Sequence, residues 1–173
     1  STGSKTGLYL IYDEPFKLRI LGVDIDDRGY IYFSSANGAG GIIIASDNGT
    51  AIQPVAQILG SNMAARASAN RNVKVKIIDG GANVSNAVPR VYKLADKSGD
   101  KTKDKYYLMQ SEIGTSNPRR IYNVTDPYNA TLHRSDAGTA MIGIQAGDII
   151  AAQNGVGPIS IFNSADFIGG IAP

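Results

Sequence analysis

The chain contains no cysteine and no tryptophan, and it has a single histidine, His133. Without thiols there are no disulfides, cysteine-zinc sites or cysteine nucleophiles. One histidine rules out a metal centre built on several imidazoles. Charge is sparse as well. The 173 residues carry 17 basic and 15 acidic side chains, a net of +2, and charged residues make up only 18% of the total. These charges are spread along the chain, with no polybasic block of the kind that binds nucleic acid or an anionic membrane. No apolar run approaches the ~18–20 residues of a membrane-spanning helix. Neither nucleic acid nor a membrane span is therefore expected.

What the chain does have is β-pattern. "GLYLIYD" and "FKLRILGVDI" flank a turn at Glu14-Pro15, and "GYIYFSS" and "GGIIIASD" follow. "NVKVKIID" alternates Val73, Val75 and Ile77 with Lys74 and Lys76, the period-2 pattern of a half-buried strand. Further short apolar runs, from "PRVYKLAD" to "GPISIFN", are punctuated by Gly, Pro, Asn and Asp. The expectation is an all-β, mainly antiparallel fold, a β-sandwich or barrel of about ten strands in a single domain over residues 1–173. One short helix is expected near residues 54–69, where Val55, Ile58, Leu59 and Met63 fall at helical spacing behind Pro54. The charge-alternating stretch "KLADKSGDKTKDK" reads as a solvated hairpin tip.

Three segments share one plan: "GYIYFSSANGAGGIIIASDNGT", "KYYLMQSEIGTSNPRRIYNVTDPYNAT" and "GDIIAAQNGVGPISIFNSAD". Each has a strand ending in small polar residues, a Gly/Asn loop, an aliphatic strand and an Asp/Asn turn. Their spacings, about 76 and 42 residues, are unequal, so there is no strict repeat period.

The stretch Asp24-Ile-Asp26-Asp27-Arg28-Gly29 places carboxylates and a glycine as the front of a calcium loop does. Asp24, Asp26 and Asp27 are thus the candidate metal ligands. Arg28 and Ser35, however, stand where a calcium loop needs oxygen donors. The alternative is a tight turn at Asp27-Arg28-Gly29 with Asp26 bonding turn amides. The same residues, "GVDIDDRGYIYFSS", resemble the blade-opening segment of NHL-repeat and gluconolactonase-type β-propellers. That resemblance implies a propeller of hydrolases or binding scaffolds. The chain has room for about four blades at ~40–45 residues each. The metal-binding Glu, Asn and Asp positions of the enzymatic members have no counterpart in it, so no site residues are carried over.

No catalytic constellation emerges. His133 lies in "TLHRSD", three residues before Asp136, and no G-x-S-x-G occurs. "NGAGG" (37–41) leads into an aliphatic strand rather than a helix, so it reads as a hairpin loop and not a phosphate cradle. Glycosylation sequons fall at Asn48, Asn83, Asn123 and Asn129, four where chance gives roughly 1.5. They favour an extracellular, cell-surface or virion location, although turn chemistry favours the same residues.

Two functions are consistent with this. The first is a non-enzymatic structural protein that self-assembles into a surface filament or part of a virion. Terminal segments 1–13 and 157–173 would supply the subunit contacts, through Leu8, Leu10, Ile161, Phe162, Phe167 and Ile168. The alternative is a propeller-like or sandwich β-domain acting as a carbohydrate-binding module or hydrolase. It would use Asp24, Asp26 or Asp27 with Tyr30 and Tyr32. No cofactor other than calcium is suggested.

Overall fold

A computed structural model describes residues 20–35, 41–69, 75–81, 87–112, 119–136, 141–154 and 157–170. Leu8, Leu10 and Asn83 lie outside these residues. Strands β1 (Ile20–Ile25), β2 (Tyr30–Ser35), β3 (Ile42–Asp47) and β4 (Ile52–Leu59) form an antiparallel meander. Helix α1 (Ser61–Ala69) then crosses over to β5 (Lys76–Asp79), which pairs parallel with β4 and completes a five-stranded sheet. The second sheet is the meander β6 (Ala87–Leu94), β7 (Lys105–Glu112), β8 (Arg119–Asn123) and β9 (Thr131–Asp136). The third is β10 (Met141–Ala146), β11 (Ile149–Asn154) and β12 (Ile159–Asn163), followed by the short helix α2 (Ser164–Gly169). The fold is therefore mainly antiparallel β and sandwich-like, and among the described residues no sheet closes into a barrel.

The sheets stack with the second in the middle. Tyr106 and Leu108 of β7 and Tyr122 of β8 pack against Tyr32, Ile42, Ile44 and Ile58 of the first sheet. On the opposite face, Tyr92, Tyr107, Met109 and Ile121 pack against Ile150, Ala152, Phe167 and Ile168 of the third sheet and α2. This explains why "YYLM" is apolar at every position: successive side chains point to opposite faces, and both faces are covered. Full burial of side chains of this size stabilises by about 1.5–3 kcal/mol each, so the middle sheet concentrates the core energy.

The helix occupies only the second half of the expected segment. Residues Ile52–Leu59 form β4, and α1 begins at Ser61. Ala56 and Ile58 face the second sheet, whereas Leu59 packs under α1 with Ala64 and Ala67. A strand covered on both faces has a continuous apolar run, which spacing alone does not separate from a helix. Pro54 is tolerated beside a bulge, where it pairs with Ala45, and among the described residues β5 pairs only with Ala56–Leu59, short of Pro54. Gly41 enters β3 at φ 54°, with Ile58 O only 1.9 Å from where a Cβ would sit, so no larger residue fits.

The three similar sequence segments map onto equivalent strands. They supply β2 and β3 of the first sheet, β7 and β8 of the second, and β11 and β12 of the third. Their spacing is unequal because α1 and β5 are inserted after the first. The sheets differ from propeller blades in that the first contains a parallel crossover strand, and the three stack in layers.

Candidate functional site

The β1–β2 turn is locked onto the second sheet by Arg28. Asp26 Oδ1 accepts from the backbone N–H groups of Arg28 (2.9 Å) and Tyr30 (3.1 Å). Asp26 Oδ2 accepts from Arg28 Nη2 (2.7 Å), Arg28 Nε (3.1 Å) and the Tyr32 hydroxyl (2.9 Å). The same guanidinium donates to the carbonyls of Thr125 (2.6 Å) and Val124 (3.1 Å) and lies 3.6 Å from the Tyr106 ring centroid. Burial, reinforced by the Asp26 carboxylate, pushes the Tyr32 hydroxyl far above its usual range.

Beside this turn, Lys93 of β6 bridges two carboxylates. Its Nζ is 2.7 Å from Asp27 Oδ2 and 2.8 Å from Asp104 Oδ2, and the Tyr106 hydroxyl donates to Asp27 Oδ1 at 2.6 Å. The hydrogen bond from Lys93 holds both Asp27 and Asp104 below the ordinary carboxylate range, aided by Tyr106 at Asp27 and by the Asp96 N–H at Asp104. Burial and the Asp27 bond push Tyr106 up to about 12. The charge-alternating stretch thus closes through Asp104, which is buried, while Lys97, Ser98 and Gly99 at its tip are exposed.

Among the described residues strand β6 pairs only with β7, and its other edge is capped by side chains from both other sheets. Val91 N–H donates to Asp24 Oδ2 of β1 at 2.8 Å. Lys93 N–H donates to Gln145 Oε1 of β10 at 2.7 Å, and Gln145 Nε2 returns a bond to Lys93 O at 2.6 Å. Asp24 and Gln145 both stand at the fifth position of the first strand of their sheet. Between these first strands lies an open cavity of about 390 Å³, lined by Asp24, Ile25, Arg90, Val91, Lys93, Tyr106, Gly143, Ile144 and Gln145 together with Asp26 and Asp27.

The third sheet has a second surface of note. Cross-strand register aligns Ile144 with Ala151 and Ile161, and the next row places Ala146 beside Ile149 and Asn163. Ile144 (73%), Ile149 (51%), Ile159 (70%) and Ile161 (65%) are exposed on this outer face.

No family model, curated protein or solved structure matches the chain.

The calcium candidates do not converge. Asp26 faces Arg28, Asp27 faces Lys93, and Asp24 accepts from the backbone N–H groups of Ile25 and Val91. Among the described residues no group of three acidic or imidazole side chains is arranged to hold a metal ion. Tyr32, proposed to meet a sugar, is buried with its hydroxyl on Asp26. His133 is exposed on β9, its ring 5.0 Å from that of Tyr107. Asn48 and Asn123 each accept from the N–H two residues on, at Thr50 (3.0 Å) and Thr125 (3.0 Å). Both sequons thus form Asx turns. Asn129 is exposed and donates to Asp126.

Of the four described subunit-contact candidates, the structure separates inward from outward. Phe167 and Ile168 are buried in the chain's own core, with the Phe167 ring 5.4 Å from both Tyr92 and Phe162, so they are not surface contacts. Phe162 faces the same core, and Ile161 points outward. Sequence reasoning missed Arg90, Lys93, Tyr106 and Gln145. Lys93 opens a stretch whose alternating charges read as a solvated hairpin tip, and Gln145 carries no motif.

Proposed function

We propose that the chain is a non-enzymatic assembly protein whose copies associate through the outer face of β10–β12. The observation that carries this is the row of exposed isoleucines on that face. An antiparallel sheet with one solvated face ordinarily turns polar residues outward, and a contiguous apolar patch marks a contact surface. Its described residues (Ile144, Ala146, Ile149, Ala151, Gln153, Ile159, Ile161 and Asn163) include no charge, so like-charge repulsion does not oppose pairing of the face with itself. A second copy related by a two-fold axis is the occupant that such a self-complementary patch fits. Strand β12 pairs only with β11 among the described residues, so its outer edge also offers a route to strand addition. The two-fold contact closes a dimer, and strand addition at the β12 edge would link such dimers into a surface filament or a virion shell. The exposed sequon asparagines, Asn48 and Asn129, support an extracellular setting.

Sedimentation velocity at about 100 μM tests this. The wild type is expected above the 18.2 kDa chain mass, and Ile161→Lys is expected to return it to that mass. A wild type that sediments as a monomer, or an Ile161→Lys variant that associates equally well, overturns the proposal.

A further inference from the structure

We infer that the cavity between β1, β6 and β10 binds a free α-amino acid with an aliphatic side chain, Arg90 taking its carboxylate and Asp24 its ammonium. Most charges in the cavity are already satisfied. Asp26 is paired with Arg28, and Lys93 with both Asp27 and Asp104. The Gln145 amide is consumed by Lys93, Gly147 and Ser164. Two opposite charges are left over. Asp24 accepts two backbone N–H groups and has no ion-pair partner among the described residues, which leaves part of its carboxylate's acceptor capacity open. Arg90 is half-buried, and among the described residues its guanidinium makes one long bond, to Pro89 O at 3.4 Å, and no ion pair.

A cation and an anion lining one cavity without pairing call for a ligand that carries both complementary charges. A guanidinium fork matches a carboxylate, in geometry and in charge. The remaining walls narrow the choice. Ile25, Val91 and Ile144 also border the cavity, among its more numerous polar groups, and give an aliphatic side chain a place to lie. A volume of about 390 Å³ is at the small end of ligand sites and suits a single amino acid. The site is distinct from the isoleucine face, although Ile144 borders both.

The experiment is an NMR titration of the full chain with L-leucine, with acetate and isobutylamine as probes carrying one charge each. Leucine at up to about 10 mM is expected to give saturable shifts at residues around Arg90 and Asp24, with each single-charge probe at least about tenfold weaker. Arg90→Gln is expected to weaken leucine binding about tenfold or more while leaving the spectrum otherwise folded, since among the described residues Arg90 bonds only to the neighbouring Pro89 carbonyl. Asp24→Asn, whose single amide oxygen keeps the bond from Val91 N–H and gives up the one from the exposed Ile25 N–H, is expected to weaken leucine binding likewise. Repeating the titration on Ile161→Lys keeps the result independent of self-association. Absence of saturable leucine shifts, equal binding by Arg90→Gln, or equal affinity for acetate alone overturns the inference.

Discussion

Gln145 and Lys93 exchange two hydrogen bonds, a side-chain amide standing at the edge of β6 where, among the described residues, no strand pairs. The amide oxygen accepts from Lys93 N–H at 2.7 Å and the amide nitrogen donates to Lys93 O at 2.6 Å. Gln145 Nε2 also lies 3.1 Å from Ser164 Oγ, so one residue ties β6, β10 and the start of α2 together. Unpaired edge groups buried under a neighbouring sheet are costly, and this contact removes the cost at Lys93. Gln145→Ala is expected to destabilise the chain by about 1–3 kcal/mol. Urea unfolding followed by circular dichroism measures it, and a change within error would show that water serves as well.

Stability should depend on pH at both ends through the same lysine. Asp27 and Asp104 have lowered folded-state values, so their contribution is complete above the unfolded carboxyl value near ~3.9 and is lost as pH falls through the folded values. Lys93 is raised by its bonds to Asp104 and Asp27, and Tyr106 is raised to about 12. Their contributions are complete below the unfolded values, near ~10, and are lost as pH rises through the folded ones. The Tm should therefore be flat near neutrality and fall at both extremes. Lys93→Met, which keeps the apolar stem, is expected to flatten the acid limb in a thermal melt series. An unchanged acid limb would assign it to other carboxylates.

Gly143 lies under the Tyr92 hydroxyl, which donates to its carbonyl at 3.2 Å. A Cβ at this position would come 2.8 Å from that hydroxyl and 2.8 Å from Ile150 Cγ2. Gly143→Ala is expected to cost about 1–3 kcal/mol, by prising β10 from β6. The midpoint of chemical unfolding reads this directly, and a neutral substitution would mean that Tyr92 has room to withdraw.

The β architecture was legible in the sequence because period-2 alternation and Gly/Asn punctuation are local signals. The first strand of the parallel crossover was not. Ala56–Leu59 is apolar at nearly every position because the first sheet is covered on both faces, and a helix reading fitted the same residues. The turn at Asp27-Arg28-Gly29 was readable from turn chemistry, and Asp26 does bond the turn amides at Arg28 and Tyr30. What spacing does not reveal is that Arg28 reaches across to Val124 and Thr125, nearly a hundred residues away. The apolar C-terminal stretch offers Ile161, Phe162, Phe167 and Ile168 alike as contact candidates, because apolar character alone does not tell own core from subunit contact. Its strand turns Ile161 outward and Phe162 inward, and Phe167 follows Phe162 into the core. Arg90 and Asp24 became candidate partners for a ligand only once the cavity placed them together.

The middle sheet's two buried faces have a consequence for how the chain comes apart. Removing the third sheet would bare Tyr92, Tyr107, Met109 and Ile121 at once, and removing the first would bare Tyr106, Leu108 and Tyr122. Neither outer layer can therefore detach without turning the centre into an adhesive surface. Unfolding should proceed as one concerted event, and a fragment ending before Met141 should aggregate rather than persist as a smaller folded unit.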